Sequence, residues 1–540
     1  MLFRNYLKNI FKVLGRKEKI NLLGLVIVFA TSLAFFLALT MSEGLKLVPV
    51  AGGEYREGVI GQPVYINPII AGDSDIDRSL IALIYASILD LAADYKVDET
   101  GRVHTVSLKE DIFWSDGVPI TSDDVIFTVR TIQDAGSYSP LFSTWQGVVV
   151  ERLSKLQVRF VLRDSYVYFD KNLSRLRVVP EHVFGAIPPA NMRLSSYNLE
   201  PVASGPYKFL QYNKRRDGFI TEYYLARNEQ FAGEKPMIDS ITFKFYEIKD
   251  ELLKAFNTRE IDGFGLPETN IDRTLVGNSI HKLILPSYYA VFFNQSVNSF
   301  LKDKNLRLAL IKSVDKERII QNIFNGNAFE ISGPLPFSVD GYSPDAYKNL
   351  GYDFNKAKEA FAQVKDIKEG EILEFSMVVP EVKSLVDTAK FIQEDWEKLG
   401  IKLNLIIMSP NDVAKDIVKT RNYEMLLFGG LVSNESDLFS FWHSSERFYP
   451  GLNLSIYSNS QADKLLESIR QTSNKETRSE AVAKLQKIIA DDAPALFLYS
   501  PTYQYVVAPN LGGFENRFIV TPDDRFRDVE NWFLKTAKVF

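Results

Sequence analysis

Residues 371–430 read EILEFSMVVPEVKSLVDTAKFIQEDWEKLGIKLNLIIMSPNDVAKDIVKTRNYEMLLFGG. Leu373, Phe375, Met377 and Val379 alternate with Glu374 and Ser376, the period of a strand with one buried face. From Glu381 to Leu399 the apolar residues Leu385, Val386, Ala389, Ile392, Trp396 and Leu399 recur at helical spacing, and Gly400 supplies the stop. Ile401, Leu403 and Leu405 then alternate with Lys402 and Asn404, Pro410 to Lys419 reads as a second short helix, and Tyr423 to Phe428 as a third strand. The order β-α-β-α-β predicts neighbouring parallel strands joined by right-handed crossovers, hence an α/β lobe. Open sheets of this kind take ligands beyond the carboxyl ends of their strands. The third strand ends at Gly429-Gly430, so the loop Leu431 to Asp437 is the candidate site.

Upstream, Asp303 to Gly326 reads as a helical pair. Leu306, Leu310, Ile311 and Val314 form one stripe, Ile319, Ile320, Ile323 and Phe324 the next, and Asp315 is placed to cap the second helix. Asp116-Gly117 makes a turn, and Thr121-Ser122-Asp123-Asp124 opens a further helix with a threonine cap and acids in its first turn. Capping accounts for these acids, which are not counted as a metal or catalytic site. A chain of 540 residues exceeds what one hydrophobic core supports, so two or three domains with a cleft between lobes are expected.

The amino-terminal stretch differs from the rest. Arg4, Lys8, Lys12, Arg16, Lys17 and Lys19 precede a run from Ile20 to Met41 that has no charged residue. Its 22 residues, at about 1.5 Å rise per residue, reach roughly 33 Å, enough to cross a hydrocarbon core. The basic flank predicts a cytoplasmic tail and an extracytoplasmic body. No small-x-small cleavage site follows, since Ala38-Leu39-Thr40 puts Thr before the cut, so an uncleaved anchor is expected. The whole chain has a formal net charge of -5 and the tail is strongly basic, so the exported part is acidic and nucleic acid is not an expected partner. With no cysteine there is neither a disulfide, nor a thiolate metal site, nor a residue for lipid attachment.

Enzyme readings find little support. His104, His182, His281 and His443 are scattered without metal-ligand spacing, and there is neither a Gly-x-Ser-x-Gly elbow nor a phosphate loop. His443-Ser444-Ser445 is explained by a turn after a helix. No catalytic residue, metal or cofactor is assigned.

Several further blocks occur in a fixed order. They are Asn67-Pro68-Ile69-Ile70 through Leu83-Ile84-Tyr85-Ala86, Val106-Ser107-Leu108-Lys109, Trp114-Ser115-Asp116-Gly117 through Val125, and Ala203-Ser204-Gly205-Pro206-Tyr207. Asn228-Glu229-Gln230-Phe231 with Lys235-Pro236, Glu260-Ile261-Asp262-Gly263, Phe293-Asn294, and Asn305 to Leu310 ending at Val314-Asp315-Lys316-Glu317 complete the series. In that order they resemble the family 5 extracellular solute-binding proteins, which include the oligopeptide-, dipeptide- and nickel-binding receptors of ABC importers.

The resemblance implies an α/β, two-lobed receptor of the periplasmic-binding-protein type (type II, Venus flytrap). A basic tail (1–19), a transmembrane anchor (20–41) and a linker (42–53) come first. Lobe one is then expected at 54–91, 201–289 and 506–540, its extra subdomain at 92–200 and lobe two at 290–505. It also implies an extended peptide held by main-chain hydrogen bonds, with an aspartate after the third lobe-two strand taking its amino terminus. Asp437, in Asn434-Glu435-Ser436-Asp437-Leu438-Phe439, stands at that place, in the loop that the crevice rule selects independently; Leu438 follows it where many peptide binders of the family have proline. Asn434 and Glu435 are candidates beside it. Tyr288, Tyr289, Trp442 and Tyr457 fall near the cleft by the same resemblance, as does Asn294 at the end of a strand leaving the hinge. The expected function is delivery of a peptide by a monomer to an ABC transporter permease. A nickel complex or sugar as ligand, a sensory role, and a membrane-anchored hydrolase are the alternatives.

Overall fold

The computed structural model describes residues 15–43, 46–267, 279–335, 341–365, 367–368, 371–431 and 437–539. The deciding stretch folds as β14 (Glu374–Pro380), α7 (Lys383–Glu397), β15 (Lys402–Met408) and β16 (Met425–Leu431). β14 lies parallel to both β15 and β16 and between them. Leu385, Ala389, Ile392 and Trp396 are the buried stripe of α7, as their spacing requires. The expected helix at 410–419 is a single turn, Pro410–Asp412, that runs into a π-helical stretch, Val413–Val418. Val413 is the one buried residue of that stretch, so packing does little to impose a regular helix there.

These strands end a twelve-stranded sheet of order β15-β14-β16-β12-β17-β10-β2-β9-β8-β7. Its other members are β2 (Glu54–Ile60), β7 (Tyr207–Lys214), β8 (Ile220–Arg227), β9 (Ser240–Tyr246), β10 (Gly263–Pro267), β12 (Ser287–Phe293) and β17 (Ala495–Val507). β11 (Ser279–Ile284) and β13 (Ala328–Glu330) also pair with β17. β17 joins two α/β lobes. Its residues 495–499 pair with β12, whereas its residues 503–507 pair with β10 in the other half. Every residue of β17 is buried, which suits a central strand covered on both faces. The core follows the same division: Tyr503, Tyr505 and Val507 pack with lobe one, and Leu496, Leu498 and Tyr499 with lobe two.

A separate four-stranded antiparallel sheet is built from β3 (Ala92–Val97), β4 (Val103–Leu108), β5 (Val149–Ser154) and β6 (Gln157–Val161), in the order β3-β4-β6-β5. α3 (Ser122–Gln133) packs on it behind the anticipated cap: Thr121 Oγ1 accepts from Asp123 N at 3.2 Å, and Asp124 Oδ2 accepts from Thr121 N at 2.8 Å. In lobe two, α5 (Lys304–Lys312) and α6 (Lys316–Phe324) form the helical pair, with Asp315 Oδ1 accepting from Arg318 N at 3.0 Å.

At the amino terminus, α1 (Arg16–Glu43) is long and apolar enough over Arg16–Phe36 to cross a membrane, with a mean hydropathy of 2.0 and none of that window buried in the body. A signal sequence has the same character. The segment read as a linker is not slack chain: residues 46–50 form β1 (Lys46–Val50), paired antiparallel with β18 (Lys535–Val539).

Candidate functional site

Asp437 follows β16 at the carboxyl edge of the lobe-two sheet, the position at which an α/β sheet presents ligand-binding loops. Its side chain is 9% exposed, so its oxygens need partners from the protein or from a ligand. Oδ1 accepts from Phe439 N at 3.2 Å and starts the turn into the short helix Phe439–Trp442. Oδ2 accepts from the hydroxyl of Tyr166 at 2.9 Å and lies 3.3 Å from Arg470 Nε. One oxygen of the carboxylate thus fixes the local turn, while the other meets Tyr166 and Arg470.

Tyr166 lies in the segment between β6 of the four-stranded sheet and α4 (Phe169–Arg175), and it reaches across to lobe two. Its neighbours do the same. Val167 N donates to Arg470 O at 2.9 Å, Ser165 Oγ donates to Gln471 O at 3.4 Å, and Tyr168 is buried among Trp442, Leu466 and Val482 of lobe two. Arg470 and Gln471 are the last residues of α8 (Ser460–Gln471). The Arg470 guanidinium lies over the rings of Tyr166 (4.9 Å) and Phe439 (4.5 Å), so cation–π contacts reinforce the same junction. Residues 165–168 thus close one end of the interlobe boundary directly on Asp437.

Beside this junction a cavity of about 1200 Å³ opens between lobe one, α4 and lobe two. Asp73 and Arg78 of lobe one, Lys171 and Arg175 of α4, and Lys475 and Arg478 of α9 (Lys475–Asp492) line it, with Asp523 and Arg527 from the last segment of the chain. Charges of both signs face one space large enough for a solute of several residues.

The other sequence candidates are dispersed. Asn434 and Glu435 lie outside the described residues. Asn294 sits at the opposite end of β12, roughly 20 Å from the carboxyl edge for seven strand residues. There its amide donates to Arg421 O at 3.0 Å and its Oδ1 accepts from Ser296 N at 3.0 Å, so the side chain fixes a turn. Tyr289 is half-buried opposite Gly429, and its ring fills the space where a Cβ on that glycine would lie 2.3 Å away. It packs at 5.6 Å from Tyr499 of β17, where the lobes join. Tyr288 is buried against Phe497. Trp442 is in the lobe-two core against Phe497 at 5.6 Å, and Tyr457, also buried there, donates to Asp492 Oδ2 at 2.6 Å. His443 Nδ1 accepts from Ser445 N at 3.1 Å, a local turn. Among the described residues no group of three or more His, Asp or Glu is placed to hold a metal.

Tyr166 and Arg470 are absent from the sequence reading. They approach Asp437 from segments far apart in the chain, 271 residues in the case of Tyr166, and no local spacing announces them. The three aromatics of Ser165-Tyr166-Val167-Tyr168-Phe169, within a stretch bounded by polar residues, are the one local signal.

Comparison with known proteins gives a consistent result. The model of the bacterial extracellular solute-binding proteins, family 5 (middle), matches residues 88–448. The oligopeptide-binding protein AppA of Bacillus subtilis is 25% identical over 516 residues, covering 90% of this chain and 92% of that protein. The dipeptide-binding protein of Escherichia coli is 23% identical over 450 residues, covering 78% and 83%. Among solved structures, the ABC transporter substrate-binding protein CtaP of Listeria monocytogenes superposes with a TM-score of 0.77 at 26% identity, over 90% of this chain and 100% of that one.

Proposed function

Because the chain belongs to the bacterial extracellular solute-binding proteins of family 5, we propose that it is a membrane-anchored receptor which binds peptides between its lobes and hands them to an ABC importer without chemical turnover. The observation that carries this reading is the meeting of Asp437 and Tyr166. An acid at the carboxyl edge of one lobe is touched by the subdomain opposite, so a guest held there contacts both sides and favours the closed state by differential contacts. The names of AppA and of the dipeptide-binding protein support a peptide as guest. Mixed charge around the cavity supports a zwitterionic one.

In this reading the peptide ammonium binds Asp437, whose Oδ1 has a lone pair beyond the bond it accepts from Phe439 N. α1 stays in the bilayer, the basic tail stays inside, and the monomeric body faces outward beside the permease. Mass spectrometry of solutes that co-purify with the detergent-extracted full chain tests the ligand class; nickel complexes or sugars in place of peptides would move it. Asp437→Ala should weaken peptides with a free amino terminus by about 10- to 100-fold, the worth of a charge-assisted hydrogen bond. N-acetylated peptides should lose less than about threefold, well under the 1.4 kcal/mol that a tenfold change represents. Titration calorimetry with matched pairs measures both, and an equal loss for the two kinds would remove Asp437 from the anchor role.

A further inference from the structure

β1 lies antiparallel to β18 along its whole length, from Lys46 opposite Val539 to Val50 opposite Lys535. Both strands are rooted in lobe one. After β1, Gly52 N donates to Met237 O at 2.7 Å and Asp239 N donates to Gly53 O at 3.0 Å, before β2 begins at Glu54. Gly52 and Gly53 have φ of +130° and +102°, and a Cβ on Gly52 would lie 2.9 Å from Lys535 Nζ, so the bend is built for glycine. Ahead of β18, Trp532 is buried in the lobe-one core, and Phe533 exchanges backbone hydrogen bonds of 2.9 and 3.0 Å with Gly512.

On the other side, residues 44 and 45 alone separate Glu43, the end of α1, from Lys46. Whatever their conformation, three Cα steps reach at most about 11 Å. A flexible linker over residues 44–53 would instead let the body wander with an r.m.s. reach of roughly 17 Å.

We propose that the β1–β18 ladder is a clamp that holds lobe one at a fixed height and orientation over the membrane. Lobe two then does the moving when the cleft opens and closes. This rests on the retention of α1 in the bilayer proposed above. A stationary lobe one would keep one surface facing a membrane-embedded partner, which raises the effective concentration of the productive encounter.

The chain has no cysteine, so single introduced cysteines report without ambiguity. Leu210, 61% exposed on lobe one, and Ile372, 69% exposed on lobe two, serve as donor positions against an acceptor lipid in vesicles that hold the full chain. Leu210→Cys should give one narrow donor–lipid distance, and Ile372→Cys a distribution at least twice as wide. Deleting residues 535–540 should widen the Leu210 distribution at least twofold. Leu47→Cys/Lys538→Cys, at facing positions of the ladder and oxidised before labelling, should close and leave the width unchanged. A Leu210 distribution in the full chain as wide as in the shortened one overturns the clamp, as does failure of the 47–538 pair to close. Should the shortened chain not fold, a full-chain width equal to that of the oxidised pair supports the clamp, and narrowing only on oxidation overturns it. Intact mass separates the two levels. A mature chain beginning near residue 41 removes the anchor and the clamp together, whereas an intact amino terminus with a wide distribution removes the clamp alone.

Discussion

Glu57→Ala should cost lobe one about 3–5 kcal/mol, because it strands a buried guanidinium without its counter-charge. Glu57 on β2 and Arg525 in the last segment are 0% and 3% exposed, and Arg525 Nη2 and Nε reach Glu57 Oε1 at 2.9 and 3.1 Å. Glu57 Oε2 accepts from the hydroxyls of Tyr55 (3.1 Å) and Tyr505 (2.9 Å), while Arg525 Nη1 donates to Ser79 Oγ at 3.1 Å and to Pro522 O at 2.7 Å. Burial is the largest influence on the Glu57 carboxyl and pushes its pKa up, whereas the Arg525 charge and the two hydroxyls pull it down. The cluster welds β2, α2 (Asp75–Ile84), the shared strand β17 and the turn Pro522–Phe526, four pieces of chain that share no local sequence. Removing one partner leaves the desolvation cost of the other with nothing to offset it. Replacing both, as in Glu57→Leu/Arg525→Met, removes the cost together with the attraction and should be milder than either single change. Hydrogen exchange of the β2 amides under urea measures the difference locally, which matters in a two-lobed chain that need not unfold in one step. A loss under 1 kcal/mol for Glu57→Ala, or a double variant no milder than the single changes, would refute this account.

Periodicity made the lobe-two framework legible, since α7 and β15 each bury one face and β14 does so as far as Met377, before Val378 joins a second core on its other side; the alternation from Leu373 and the stripe Leu385 to Trp396 record those faces. Where one residue alone is buried, as at Val413, the pattern had nothing to record. The quoted blocks were visible as blocks, but their causes are long-range. Ser115 N donates to Ala203 O at 2.8 Å, so Trp114-Ser115-Asp116-Gly117 and Ala203-Ser204-Gly205-Pro206-Tyr207 hold each other. A Cβ on Gly205 would lie 2.8 Å from Leu83 O, and one on Gly263 only 1.9 Å from the Tyr55 hydroxyl. Asp262 of the same block clasps Arg56 through two oxygens at 2.9 Å. The β1–β18 pair escaped for a similar reason, because five residues of strand propensity near one end of the chain say nothing of their partner at the other. At the candidate site, the crevice rule and the resemblance both reach Asp437 from the end of β16. Neither can reach Tyr166 or Arg470, which are brought there by folding alone. Trp442 and Tyr457 illustrate the converse: an aromatic side chain reads alike whether it faces a cleft or, as here, a core.

Arg307→Met should cost lobe two about 3 kcal/mol, from buried carbonyls left without donors. Arg307 lies on α5, yet its guanidinium serves other elements. Nε and Nη2 donate to Ala493 O (3.1 Å) and Asp492 O (2.7 Å) at the carboxyl end of α9, and Nη1 donates to Leu301 O (2.7 Å) and Lys302 O (2.9 Å). The last carbonyls of a helix have no partner within it and carry its negative end, so a buried cation there satisfies bonds and dipole at once. Arg307→Lys should lose most of the same stability although it keeps the charge, because one ammonium cannot span a fork that faces two chain ends. The consequence is local to the shared strand. α9 leads through Ala493 and Pro494 into β17, and Phe293 N donates to Pro494 O at 3.3 Å, so a loosened helix end loosens the lobe-two end of the strand that the lobes share. Amide exchange should therefore quicken at Phe293 and at residues 495–499, with Glu54–Ile60 of lobe one unaffected. Arg307→Lys matching the native protein, or a uniform change across both lobes, would show that the guanidinium does not hold the shared strand in place.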